Sequence, residues 1–269
     1  RVAFEVRMES GDRYGRSFAL GPNLESIDVE GAVDTALDQA LEGGPPAVLP
    51  PGRYPAVLDR SAVARLFKVL GNTAGVAAKS RGESFLVRSG EQIFDDRLHV
   101  IDDFTHALHR GEPFDCDGLA REIVPLVESG MVGRPVSGWF NRGQLAPTGH
   151  GVVLADGRRA ERAEHLVVSG GGSGDWDRLV RGVHAGVLVS DFNHLEVVDP
   201  AALRVTGVTG PGFFAIEAGE RTVPLLPLRF DVSLYDLFAN LPDLGAPGWA
   251  EGAVVPPLCV AELPLYAPA

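Results

Sequence analysis

The stretch "PPAVLPPGRYP" sets the strongest limit on how this chain can fold. Pro45, Pro46, Pro50 and Pro51 lack a backbone N–H and fix φ, so no helix and no central strand runs through them. A domain boundary is expected there, dividing residues 1–45 from residues 46–269.

Before the break, "RVAFEVRMESGDRYGRSFAL" reads as a strand, a Gly-Asp turn and a second strand. "DVEGAVDTALDQALEGG", Asp28 to Gly44, places Val29, Val33, Ala36, Leu37, Ala40 and Leu41 at helical spacing, with Asp28 as N-cap and Gly43 near the stop. A lone hairpin with one helix makes a weak core. The chain also opens on Arg1 rather than Met. Residues 1–45 are therefore expected to be the tail of a domain whose earlier part is absent, packed with an apolar face left exposed.

After the break, β signals dominate. "REIVPLVESGMVGRPVSG", Arg121 to Gly138, holds two apolar runs around Glu128-Ser129-Gly130, and "GFFAIEAGERTVPLLPL", Gly212 to Leu228, repeats the plan around Ala218-Gly219-Glu220. Both read as antiparallel hairpins. "LHVIDD", "GVVLADG", "AEHLVVS" and "PLCVAELPLYA" supply further strands. Helices are expected near 60–70, where "YPAVL" runs into "DRSAVARLFKVLG", near 175–187 in "DWDRLVRGVHAGVLV", and near 232–241 in "SLYDLFANL", ended by Pro242. Hairpins between helices do not make a βαβ alternation. The fold class is α+β, with a mostly antiparallel β domain over 46–269.

Composition narrows the function. The formal net charge is -12, and an acidic surface repels phosphate backbones, so nucleic-acid binding is not expected. No apolar run reaches the ~20 residues of a membrane span. Cys116 and Cys259 lie too far apart in sequence for a zinc ribbon, and a reducing cytoplasm is the expected compartment.

His106 and His109, beside Asp102 and Asp103, have half of a metal-site spacing, but no Cys and no third His follows at ligand spacing, so "DDFTHALHRGEPFD" reads as a solvated loop. "SGGGSGDW", Ser169 to Trp176, opens a helix without a P-loop ending or a dinucleotide fingerprint; it reads as a flexible loop capped by Ser173 or Asp175. No G-x-S-x-G elbow occurs. Cys116 sits between Asp115 and Asp117, which raise a thiol pKa, so it reads as structural.

The order of these pieces carries a resemblance. "GRYPAVLDRSAVARLF", "SRGESFLVRSGEQIF", "HVIDD", "FDCDGLAREIVPLVESGMVGRPVSGWFNRGQLAPTGHG", "DWDRLVRGVHAGVLVSDF" and "VPPLCVAELPLYA" together resemble the TldD/PmbA family, also called modulator of DNA gyrase. The resemblance spans Tyr54 to Tyr266. It implies an N-terminal α/β domain, ending with residues 1–45, a C-terminal antiparallel β domain, and a heterodimeric metallopeptidase built from two related subunits. In that family the TldD-type subunit holds zinc through a helical His-Glu-x-x-x-His motif and a later Cys. Aligned on Ala62-Val63, the first His falls on Arg60, the Glu on Ser61 and the second His on Arg65. The later Cys falls in "GAPGWAEGA", which has none, and Cys259 lies beyond it. An Asn-like residue is expected where His150 stands in "TGHG".

The chain therefore resembles the PmbA (TldE) subunit. The implied reading is a metal-free subunit with no catalytic and no metal residues of its own and no assigned substrate-binding residues. Zinc would belong to a TldD-like partner, and the pair would enclose unfolded or extended peptides. The alternatives are a paralogue recruited to natural-product biosynthesis and a non-enzymatic, homodimeric binding protein.

Overall fold

The computed structural model describes residues 2–10, 13–21, 23–41 and 45–267. Strands β1 (Val2–Ser10) and β2 (Arg13–Gly21) form an antiparallel hairpin in register from Val2↔Gly21 to Ser10↔Arg13. Its expected Gly11-Asp12 turn lies outside the described residues, as does Gly43. Helix α1 (Val29–Leu41) starts where Asp28 Oδ1 accepts the Gly31 N–H at 2.9 Å. It buries Ala32, Ala36 and Ala40. Small residues let the helix lie close on β2: a Cβ on Gly15 would sit 1.8 Å from the Ala36 carbonyl oxygen. Ala32, Ala36 and Val6 form a cluster of their own, while Phe4, Leu24, Val29 and Leu41 stay exposed.

Beyond the prolines, β3 (Gly52–Leu58) runs directly into α2 (Arg60–Asn72). Among the described residues a nine-stranded sheet holds β3 between Leu258–Tyr266 and Ala185–Val189. A six-stranded sheet runs from Gly248–Ala250 through Ala253–Val255, Leu166–Ser169, His99–Asp102 and Val124–Glu128 to Met131–Val132. Helix α2 packs against Gly248–Ala250, Ala253–Val255 and Leu166–Ser169 of the smaller sheet and against Phe192–Asp199 of the larger. It is therefore buried on most of its circumference, through Ala62, Val63, Ala64, Leu66, Phe67, Val69 and Leu70. Phe67 stacks on Phe238 with ring centroids 4.9 Å apart, which joins α2 to the short helix Leu234–Phe238.

The α+β class and the antiparallel bias hold. Both expected hairpins form, at Val124–Glu128 with Met131–Val132 and at Phe213–Glu217 with Glu220–Pro224. Their turns use paired left-handed residues, Ser129 and Gly130 at φ 48° and 74°, Ala218 and Gly219 at 53° and 80°. That backbone matches the strand twist.

One helix is corrected. Residues 175–187 hold only a short helix, Trp176–Arg181, followed by the strand Ala185–Val189. That strand pairs parallel to β3 and antiparallel to Phe213–Glu217. Val187, Leu188 and Val189 are buried on both faces of the sheet, which removes the alternation that would have marked a strand. Gly186 suits the crowding, since a Cβ there would meet the Pro55 carbonyl oxygen at 2.3 Å. The helix expected at 232–241 is likewise shorter, Leu234–Phe238, and Arg229–Ser233 before it is a strand.

Phe67 is 1% exposed and Leu24 is 71% exposed. Phe67→Ala is expected to cost about 3–5 kcal/mol through the cavity it leaves, and Leu24→Ala less than about 0.5 kcal/mol. Urea midpoints at unchanged slope measure both.

Candidate functional site

Helix α2 offers one polar edge. Asp59, Arg60, Ser61, Arg65 and Lys68 cannot enter its apolar faces and lie along one edge of a helix whose start is pinned to the end of a strand. The Asp59 N–H donates to the Val189 carbonyl at 3.0 Å and the Ala62 N–H to the Ser190 carbonyl at 3.1 Å. The side chain of Asp59 caps the helix, with Oδ1 accepting the Arg60 N–H at 2.7 Å.

No carboxylate on α2 itself neutralises Arg60 or Arg65. Partners come from three other segments. Asp191, between Ala185–Val189 and Phe192–Asp199, meets Arg65 Nε at 2.5 Å. Glu251 lies 3.1 Å from Arg65 Nη2, and Lys68 Nζ stands 3.9 Å from its other oxygen. It occupies the tight turn between Gly248–Ala250 and Ala253–Val255, where Glu251 and Gly252 have φ of 50° and 79°. Asp175, the cap of helix Trp176–Arg181, pairs with Arg60 Nη1 at 3.1 Å, and Arg60 Nη2 donates to the Ala246 carbonyl at 2.9 Å.

The N-terminal hairpin completes the cluster. Arg16 of β2 reaches Asp191 at 3.2 Å and Glu251 at 3.7 Å, while its Nε holds Glu5 at 2.7 Å. Its backbone N–H donates to Gln39 Oε1 of α1 at 2.9 Å. The hairpin, α2 and the body thus share one charge network.

Beside this network lies a cavity of about 290 Å³ lined by Arg16, Thr35, Asp59, Arg60, Asp175, Asp191 and Trp249, among others. Burial pushes the Asp59 carboxyl up to about 6. The Arg60 N–H opposes the shift, Asp175 adds to it, the Arg60 guanidinium opposes it more weakly, and Asp191 adds last. Asp191 is also raised, because burial outweighs Arg65. Burial lowers the Lys68 ammonium.

The other expected residues lie elsewhere. His109 is buried rather than solvated, with its ring 5.2 Å from that of His165, which corrects the reading of its loop. Asp102 is fully buried and accepts the His165 N–H at 2.9 Å, and its Oδ1 lies 3.3 Å from His150 Nε2. His150 Nδ1 is 2.9 Å from Thr148 Oγ1. Burial pushes Asp102 up, but the hydrogen bonds of the two histidines outweigh it and hold the carboxyl well below the usual range. Cys116 is exposed, and partial burial of its sulfur with Asp117 and Asp115 pushes its thiol up. Cys259 is buried in Leu258–Tyr266 and pushed up to about 11, by burial and then by Asp243.

The zinc implied by the resemblance does not fit the residues at α2. Arg60 and Arg65 bring permanent positive charge and donors only. They are already engaged by Asp175, Asp191 and Glu251. Among the described residues no three His, Cys, Asp or Glu side chains are placed to share a metal ion. Sequence patterns mark Asp175 as a helix cap but do not single out Asp191, Glu251 or Arg16. The one signal was indirect: two arginines on a helix without acids require carboxylates from elsewhere.

Residues 51–265 match the PmbA/TldA metallopeptidase C-terminal domain. Among solved structures, TldE from Thermococcus kodakarensis superposes with a TM-score of 0.85 at 18% identity, over 98% of this chain and 62% of that one. A protein named as a candidate modulator of a DNA gyrase from Thermotoga maritima gives 0.84 at 17%, over 98% and 61%. One similarly named from Bacteroides thetaiotaomicron gives 0.81 at 20%, over 99% and 59%. At these identities the likeness is one of fold, and the chain spans less than two thirds of each structure's length. No curated protein matches the sequence.

Two substitutions test the site. Arg65→Met strands Asp191 and Glu251 without their nearest cation. It is expected to cost about 2–3 kcal/mol in urea unfolding, less than a fully buried pair because Arg16 remains and Arg65 keeps some solvent. Asp59 binds its proton more tightly folded, at about 6, than unfolded, at about 4. Wild-type stability therefore falls relative to Asp59→Asn as pH rises from 4 to 7, by at most about 3 kcal/mol. Parallel melting curves at the two pH values would contradict the assignment.

Proposed function

Because the chain belongs to the PmbA/TldD metallopeptidase family, we propose that it is a metal-free subunit of the TldE kind. It pairs with a zinc-bearing, TldD-like subunit and helps enclose extended or unfolded peptides. The observation that carries this reading is the occupancy of the helix where the family places its metal. Arg60 and Arg65 stand where the resemblance puts the ligands and pair with Asp175, Asp191 and Glu251, and "GAPGWAEGA", where it puts the later Cys, has no thiol. The fold shared with TldE from Thermococcus kodakarensis supports it. A sheet-rich wall suits main-chain pairing with a peptide, which depends little on sequence. No helix among the described residues is long and apolar enough to cross a membrane; the cytoplasm is proposed as the compartment from the two widely spaced cysteines.

Co-expression with a TldD-like protein tests this. The pair is expected to co-elute, to carry about one zinc in the partner, and to cleave unfolded peptides until a chelator is added. The chain alone is expected to hold no stoichiometric zinc and to leave the same peptides intact. Stoichiometric zinc or chelator-sensitive cleavage by the chain alone would overturn the reading, and a stable self-pair that ignores the partner would replace it with a homodimeric binding protein.

A further inference from the structure

The cavity at the start of α2 has an unequal charge balance. Asp59, Asp175 and Asp191 line it against Arg16 and Arg60. The two arginines are engaged, Arg60 with Asp175 and the Ala246 carbonyl, Arg16 with Glu5 and Asp191. Arg65, behind them, holds Asp191 and Glu251, and Lys68 faces Glu251. Asp59 is the remaining carboxylate. Its Oδ1 takes the Arg60 N–H, and no side-chain cation pairs with it. Arg60 Nε and Trp249 Nε1 are buried donors without a hydrogen-bond partner, and one Asp59 oxygen lacks a cation, so a ligand with an ammonium close to a carbonyl suits the cavity: the ammonium would meet Asp59 and the carbonyl these donors.

The surroundings indicate what kind of cation. A second recess of about 280 Å³ shares Gln39 and Pro211 with the cavity and is lined by Phe213, Phe214, Pro224 and Leu225. An ammonium attached directly to an apolar group would use both. A peptide's amino terminus carrying an apolar first residue has that form.

We propose that this cavity binds the protonated amino terminus of an extended peptide, with Asp59 accepting the ammonium and the adjoining recess taking the first side chain. The choice of a peptide as carrier of the amine rests on the proposed function; the ammonium chemistry rests on the cavity alone. Asp59 is suited to the task because burial leaves its charge uncompensated, and a bound ammonium would supply the missing partner. The remaining charges around it come from the 175 loop (Asp175), the 191 turn (Asp191), β2 (Arg16), α2 (Arg60, Arg65, Lys68) and the 251 turn (Glu251), and are paired as described.

Trp176 and Trp249 line the cavity, so tryptophan fluorescence reports binding to the purified chain without partner or zinc. The probes are Leu-Ala-Ala amide, its N-acetyl form, and N-acetyl-Ala-Lys-Ala amide. The free-amine peptide is expected to bind at least about tenfold more tightly than its acetylated form, the scale of one charge-assisted contact. Its affinity should rise as pH climbs through about 6, with Asp59, and fall again above about 8 as the amine deprotonates. Asp59→Asn keeps the helix cap and should abolish the preference for the free amine while melting as a folded protein.

Equal binding of free and acetylated peptides, no binding of either, or an unchanged preference in Asp59→Asn would overturn the proposal. Equal binding of the lysine peptide would overturn the assignment to the amino terminus. Failure of these titrations leaves the pairing and zinc experiments with the partner unaffected, so the two readings fail separately.

Discussion

Burial of α2 between two sheets governs the rest of the molecule. A helix covered by Phe192–Asp199 on one side and by Gly248–Val255 and Leu166–Ser169 on the other must be apolar over most of its surface. The five polar or charged residues from its cap Asp59 to Lys68 are forced to one edge. That edge faces the 191 turn, the 251 turn and the hairpin, and each contributes charge. The site is thus a consequence of packing: once α2 is seated, its cations can be neutralised only by segments far away in sequence.

Asp191 is 5% exposed and touches Arg65 and Arg16, yet burial still pushes its carboxyl upward. For buried ion pairs the desolvation cost offsets much of what the pairing returns, and apolar residues of similar size are often as stable. What the charges provide is placement. Arg65 fixes the 191 and 251 turns relative to α2, Arg60 fixes the 175 loop, and Arg16 fixes the hairpin over the same point.

Much of this framework could be read from the sequence. The junction of β3 and α2, the Asp28 and Asp175 caps, and the Ser-Gly and Ala-Gly hairpin turns each carry a local chemical signal. Ala185–Val189 did not, because a central strand buried on both faces has the same apolar run as a buried helix. The hairpin of Phe192–Asp199 with Arg204–Thr209 was also missed; register shifts at Asn193/Glu196 and Val197/Asp199 break its alternation. Arg60 and Arg65 could be singled out, but Asp191, Glu251 and Arg16 stand 126, 186 and 49 positions away from Arg65, and no periodicity reports such distances.

Two of the chain's aspartates show how environment decides which group can respond near neutral pH. Asp102 is the more deeply buried, but His150 and His165 converge on it and the backbone of His165 donates to it, so its charge is stabilised and stays fixed. Asp59 has the helix N-terminus and one N–H in its favour, which ordinarily stabilise a carboxylate. It lacks a counter-ion because Arg60 turns away to Asp175 and Ala246, and Arg65 to Asp191 and Glu251. Burial then prevails, and its proton is held to about pH 6. The pairing of these arginines with Asp175, Asp191 and Glu251 therefore also leaves the carboxylate at the helix start without a counter-ion. A titratable group facing a cavity at that point follows from how the charges were divided, with no further residue required to create it.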